Sequence, residues 1–284
     1  MIVPRKKQNI EWAVIPAAGL GTRMRKSARG IPKEMLEIGG KPVIYYTVRE
    51  MLVAGIARVI IVVSPLKPEI REYVQGCKEL TEYNKATTTV QRGKTDNEII
   101  FVIQEKPLGL SHAVSLTEHL VGKNDFMVAM PDNFFPENPS PTRQLLRQYN
   151  PGRCCVALMQ LRTDHFRLFG NTSSFEYEET KKPGVVLFTE MSEKQEMPAT
   201  PGDKDIKLKG IGRTVYTRDF FEAFHSISHV NGTEFDDVPV FQKLVAQRKV
   251  DGCLIKGTAF DTGNPEGYRA AREWSRINAH KNNA

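Results

Sequence analysis

Four short apolar runs separated by stretches of helical spacing constrain this chain more than any other feature. The runs are WAVIPAA (12–18), RVIIVVS (58–64), IIFVIQ (99–104) and DFMVAMPD (125–132). Between them lie PVIYYTVREMLVAGI (42–56), with Val43, Tyr46, Val48, Met51 and Leu52 on one face, and KPEIREYVQG (67–76), with proline near its start and glycine at its end. LSHAVSLTEHLVG (110–122) supplies a third helix. Strands that alternate with helices rejoin one sheet through right-handed crossovers, which predicts a mostly parallel sheet. Ligands of such sheets collect beyond the carboxyl ends of the strands. The connections AAGLGTRM, QEKPLGL and PDN therefore share one rim.

The second half is less regular. CCVALMQLR (154–162), GVVLFTEM (184–191) and IGRTVYT (211–217) read as strands. TRDFFEAFHSI (217–227), VPVFQKLVAQRK (238–249) and GYRAAREWSRINAHKNN (267–283) read as helices. EYEETKKPG (176–184) and SEKQEMPATPGDKDIKLKG (192–210) are polar and rich in Pro and Gly, and are expected to be long surface loops or a lid. No repeat or low-complexity linker divides the chain. The expected architecture is α/β: one domain over 1–284, with a Rossmann-like, mostly parallel mixed sheet flanked by helices and an inserted β-rich subregion.

Composition narrows the function classes. With 40% hydrophobic and 26% charged residues, and no apolar run of about 18 residues, the chain reads as soluble, with no membrane partner. The opening MIVPRKKQNIEW has a basic cluster but no apolar stretch of signal-peptide type behind it, so a cytoplasmic location is expected. Cys77, Cys154, Cys155 and Cys253 form no C-x-x-C pair and read as reduced, buried thiols. The net charge of +7 suits nucleic acid or phosphorylated small molecules. Apart from Arg5-Lys6-Lys7 the basic residues are scattered, and no nucleic-acid motif is present, so no nucleic-acid partner is expected.

AVIPAAGLGTRM (13–24) and PKEML (32–36) carry the chemistry. No Gly-x-x-x-x-Gly-Lys-Ser/Thr string exists, and GLGTRM lacks the third glycine of a dinucleotide fingerprint. A tight turn explains Gly19 and Gly21 but not the added Arg23 and Lys33. Glycines let successive backbone amides cradle an anion, while an arginine clamps phosphate oxygens in pairs and a lysine adds a movable point charge. The combination points to phosphoryl chemistry.

These two segments at this spacing resemble the nucleotidyltransferases that make nucleotide sugars, and most of all the bacterial UTP–glucose-1-phosphate uridylyltransferases. KPVIYYTVREMLVAGI, QEKPLGLSHAV, VAMPDNFF, IGRTVYT and FDTGNPEGYRAA extend the resemblance, in order, over nearly the whole chain. It implies a nucleotide-binding half (10–150) and a sugar-binding half with the C-terminal helix (151–284). Ala17, Ala18, Gly19, Gly21 and Thr22 would meet the nucleotide, with Gln104 reading the pyrimidine base beside Gly109. Arg23 and Lys33 would serve the phosphates. Asp132 and Asp261 would hold Mg2+, a cation that prefers hard oxygen ligands. Gly170, Glu190 and Gly212 would line the sugar.

The activity so implied is transfer of a uridylyl group from UTP to glucose 1-phosphate or a related hexose 1-phosphate, releasing pyrophosphate. The alternatives are another nucleotide and sugar-phosphate pair, or a regulatory paralogue that binds nucleotide sugars. A homo-oligomer, dimer or tetramer, is expected. Three departures stand against the family pattern. Arg25-Lys26-Ser27-Ala28-Arg29-Gly30 replaces Leu-Pro-x-Thr-Lys, Met191 stands where the family has a sugar-phosphate lysine, and Pro265 replaces a second lysine. Lys194, Lys204 or Lys207 could fold in as a substitute.

Overall fold

The computed structural model describes residues 10–24, 30–82, 98–136, 139–162, 165, 168–170, 173–193, 206–227 and 236–278. Among these residues thirteen strands follow in chain order: β1 (Trp12–Pro16), β2 (Glu37–Ile38), β3 (Lys41–Pro42), β4 (Arg58–Val63), β5 (Glu98–Ile103), β6 (Phe126–Ala129), β7 (Asn133–Phe134), β8 (Cys154–Arg162), β9 (Phe175–Glu179), β10 (Val185–Met191), β11 (Ile206–Tyr216), β12 (Val250–Leu254) and β13 (Phe260–Asp261). Nine of them form one sheet in the order β5-β4-β1-β6-β11-β8-β12-β10-β9.

The sheet is mixed. β5, β4, β1 and β6 run parallel, as the strand–helix alternation of the first half requires. β11 pairs antiparallel with β6 on one side and with β8 on the other, joining the two halves of the sheet. Beyond it β8 and β12 are parallel, and β12, β10 and β9 are antiparallel in turn.

Both faces of the parallel half are covered, which is why its strands read as unbroken apolar runs. Ala13, Ile15, Val59 and Ile61 face the cluster under the helix Val43–Val53. Their neighbours Val14, Ile60 and Val62 face the opposite cluster, with Phe220 and Phe221 of the helix Asp219–His225. A third cluster gathers Met24, Ile38, Val43, Phe134 and Phe260 against the helix Pro265–Asn278. No helix among the described residues is long and apolar enough to cross a membrane.

The expected elements need four corrections. The helix 110–122 is two pieces, Leu110–Ser115 and Glu118–Val121, because Thr117 Oγ1 donates back to the Val114 carbonyl at 2.7 Å where the helix would continue. EYEETKKPG is not wholly loop: Phe175–Glu179 is edge strand β9, whose exposed charged residues suit an unpaired sheet edge. Ile206–Gly210 also belongs to a strand, extending β11 along β8; residues 194–205 of the expected lid lie outside the described residues. Strand β12 carries an Asp-Gly that masks its pattern. Gly252 sits there because a Cβ would come within 2.4 Å of Leu158 and 2.6 Å of Phe188.

Candidate active site

The connection after β1 opens with Ala17 and Ala18 buried, and the Ala17 amide still donates to Val62 as though the strand continued. Gly21 then turns at φ +62°, with the stem of Lys33 against its α-carbon side. A short 3-10 turn, Thr22–Met24, follows, and buried Met24 anchors it in the third cluster. Arg23 is thereby held at a fixed point of the rim. A second turn, Lys33–Met35, behind Pro32, presents Lys33 from the other side.

Lys33 Nζ donates to Asp132 Oδ2 at 2.6 Å. Asp132 follows β6, and its carbonyl accepts from both Thr262 N (2.7 Å) and Thr262 Oγ1 (2.8 Å). The same seam pairs β13 with β7, Asp261 opposite Asn133, and so sets two distant carboxylates side by side. Gly263 lies between them: a Cβ there would be 2.4 Å from Asp132 Oδ2 and 2.9 Å from Asp261 Oδ1. Asp261 accepts from the amides of Gly170 (2.7 Å) and Gly263 (2.8 Å).

Electrostatics separates the two acids. Burial pushes Asp132 up, but the Lys33 ammonium, its hydrogen bond and the Arg23 guanidinium outweigh burial and leave it below the ordinary carboxylate value. Asp261 sits above that value, first through burial and then through the charge of Asp132. Burial would lower Lys33, but Asp132 and Glu34 hold it above an ordinary lysine, so it stays cationic. Two converging carboxylates, one of them raised by burial and by its like-charged neighbour, form a donor set that suits a hard divalent cation.

Two cavities meet at this centre. The first, about 300 Å3, runs from the glycine loop past Lys33 to Gln104 and Gly109. Gln104 follows β5 directly and is buried; its Nε2 donates to the Gly109 carbonyl (3.2 Å) and to His112 Nδ1 (2.8 Å). Both amide hydrogens are thereby committed, which leaves Oε1 as an acceptor. The second cavity, about 240 Å3, lies under β11 and is lined by Asp132, Asp261, Gly212, Met191 and Lys209 among others. Arg23 lines both.

The structure thus brings together Ala18, Gly19, Gly21, Thr22, Arg23, Lys33, Gln104 and Gly109 around one cavity, with Ala17 buried behind them. Gly212, at φ +67°, borders the other cavity, and a Cβ would clash with Met130 at 2.9 Å. Gly170 makes room for a cation: a Cβ would fall 1.6 Å from Arg23 Nη1. Glu190 is exposed on β10 and lines neither cavity, whereas its neighbour Met191 does. Of the expected substitutes, Lys194 and Lys204 lie outside the described residues, and Lys207 is exposed.

Three functional candidates escaped the sequence. Lys67 Nζ is buried beneath the glycine loop, where it donates to Glu34 Oε2 (2.9 Å) and to the carbonyls of Ala17 (3.3 Å) and Gly19 (2.5 Å). Glu34 is fully buried, and its Oε1 has no partner among the described residues. Arg213, also fully buried, spans Glu50 and the carbonyls of Met130, Gly212 and Asn133, bracing the segment that carries Asp132. The signal available for Lys67 was its place just after β4, on the same rim as the other connections.

A family model, the nucleotidyl transferases, matches residues 12–275. The chain belongs to the nucleotidyl transferase family. This transferase is 28% identical over 282 residues to the UTP–glucose-1-phosphate uridylyltransferase YngB of Bacillus subtilis, covering 94% of this chain and 90% of that one. It is 30% identical over 272 residues to a UTP–glucose-1-phosphate uridylyltransferase of Pseudomonas aeruginosa, covering 91% and 93%. Among solved structures, a UDP-glucose pyrophosphorylase complexed with UDP-glucose superposes with a TM-score of 0.75 at 26% identity, covering 95% of this chain and 99% of that one. The UTP-bound enzyme of Acinetobacter baumannii gives 0.71 at 26%, covering 94% and 93%.

Proposed function

We propose that the protein transfers a uridylyl group from UTP to glucose 1-phosphate or a closely related hexose 1-phosphate, giving a UDP-sugar and pyrophosphate. The observation that carries this reading is the pair of cavities that share Arg23, with Asp132 and Asp261 where they meet. The named relatives support the same reaction.

UTP takes the first cavity, its base against Gln104 and Gly109. Gln104 Oε1 accepts from the imide N–H of uracil, a donor that cytosine lacks at that position. The glycine loop offers its amides to the phosphates. Lys67 pulls the loop's carbonyls to the opposite side, so that they do not oppose the anion. The sugar phosphate takes the second cavity, on the far side of Arg23. Its oxygen attacks the α-phosphorus in line, a new P–O bond forms, the bond to the bridging oxygen breaks, and pyrophosphate leaves with that electron pair. Arg23 and cationic Lys33 stabilise the charge that builds on the equatorial and leaving oxygens. Positioning and fixed charge supply most of such catalysis. Asp132 and Asp261 would hold Mg2+, which supplies further charge neutralisation at the phosphates when bound.

Pyrophosphate release with UTP, dTTP, CTP and ATP against a panel of hexose 1-phosphates tests the reading. UTP with glucose 1-phosphate or a near analogue is expected to turn over fastest. Tight UDP-glucose binding without any release under Mg2+ would replace catalysis with sensing.

A further inference from the structure

β11 distributes its lysines unequally. Lys207 is exposed, whereas Lys209, two residues on, is only 7% exposed and lines the second cavity. Lys209 Nζ lies 5.8 Å from the centre of the Phe169 ring. The next residue, Gly170, is the one against which the Arg23 guanidinium packs and whose amide fixes Asp261. Lys209 and Arg23 therefore approach the two ends of one dipeptide, and they are the two cations among the described lining residues of this cavity. Much of the remaining wall is apolar: Phe175, Phe188, Met191 and Phe241. That wall keeps the local dielectric low and strengthens whatever charge pairing occurs there.

We propose that Lys209 is the residue that grips the phosphate of the second substrate, a sugar phosphomonoester, with Arg23 as its partner on the reaction side. The assignment rests on the nucleotidyl-transfer reading and adds to it the identity of the gripping cation. A phosphomonoester carries close to two negative charges and several strong acceptors, which a forked guanidinium and a point-like ammonium can share. β10 contributes none of this charge. Its Met191 faces the cavity with a thioether, and its Glu190 faces solvent. The cation comes from β11 instead. Arg23, Asp132, Asp261 and Asp237 line the same cavity.

Calorimetry with UMP and UDP-glucose separates the two subsites, because only UDP-glucose retains the phosphate that the sugar brought. In Lys209→Met the affinity for UDP-glucose should fall about 10- to 100-fold, as expected for a lost charged hydrogen bond, and that for UMP should stay within about twofold. Lys209→Arg should lie between wild type and Lys209→Met. Initial rates should show KM raised for glucose 1-phosphate and unchanged for UTP. Equal loss of UMP and UDP-glucose, or loss of neither, overturns the assignment while wild-type binding keeps the reaction reading intact. Failure of the wild type to bind either ligand overturns both. Should Lys209→Met not fold, Lys209→Gln keeps a polar end without charge and carries the same expectations.

Discussion

Replacing Arg213 by methionine should destabilise the protein by about 3–5 kcal/mol, the cost of stripping one partner from a buried ion pair. Arg213 makes five hydrogen bonds: two to Glu50 Oε2, at 2.8 and 3.2 Å, and three to the carbonyls of Met130, Gly212 and Asn133. Its side chain is fully buried and that of Glu50 is 8% exposed, so neither charge is screened by water. Methionine fills most of the volume and isolates the penalty to Glu50 and the three carbonyls. Glu50 also accepts from Thr142 N and Oγ1 through its other oxygen, which holds the carboxylate in place after Arg213 is gone. Urea unfolding followed by tryptophan fluorescence measures the loss at constant m. A double variant, Glu50→Leu with Arg213→Met, should cost less than the sum of its singles, since the second change removes a charge already stranded; coupling of about 0.5–3 kcal/mol is typical of such pairs. Arg213→Lys keeps the charge but not the fork, and should raise the Mg2+ needed for half-maximal rate, because the Asp132 segment loses its brace. A loss under about 1 kcal/mol for Arg213→Met, or strict additivity, would refute the reasoning.

Three further outcomes follow from the site. Asp132→Asn should lower turnover by about 10²–10³-fold, since shape is kept while the charge that pairs with Lys33, and that we propose holds Mg2+, is lost; near-normal rates at limiting Mg2+ would refute the metal role. Gln104→Leu should raise KM for UTP and erode discrimination against other nucleoside triphosphates by about 1–3 kcal/mol, and unchanged discrimination would mean that another group reads the base. Native thiol titration at pH 8 should detect Cys77 first, because it alone among the four is not buried, while burial pushes Cys154 up to about 11 and keeps it almost wholly protonated at that pH; equal reactivity of all four thiols would contradict this packing.

The parallel half of the sheet was legible because its strands are buried on both faces and its helices carry clear amphipathic spacing. β9 was hidden by its exposure: Glu176, Glu178 and Glu179 satisfy a solvent-facing edge and look like loop. At the site, the glycine loop, Arg23, Lys33 and the two aspartates were legible through resemblance, and their convergence depends on the β7–β13 seam that no local pattern announces. Lys67, Glu34 and Arg213 were not legible. Charged residues read from sequence default to the surface, and only the fold reveals that each of these is buried against backbone carbonyls or an opposite charge. Lys207 and Lys209 pose the same difficulty: two residues apart on β11, they share one face of the strand, and only what the fold packs over that face separates an exposed lysine from a buried one.

β11 has a consequence for how such a chain can diverge. The strands beside the first cavity, β1 and β5, with β4 between them, lie on one side of it, and β8, β9 and β10, which line the second cavity, lie on the other with β12 among them. No strand from one group pairs with one from the other; β11 and its neighbour β6 stand between them. Insertions, register shifts or changes of wall residues in the second group leave the ladder of the first untouched. The wall of the second cavity can change while the first stays fixed, and a cation that β10 does not carry can come from β11 without rebuilding the glycine loop.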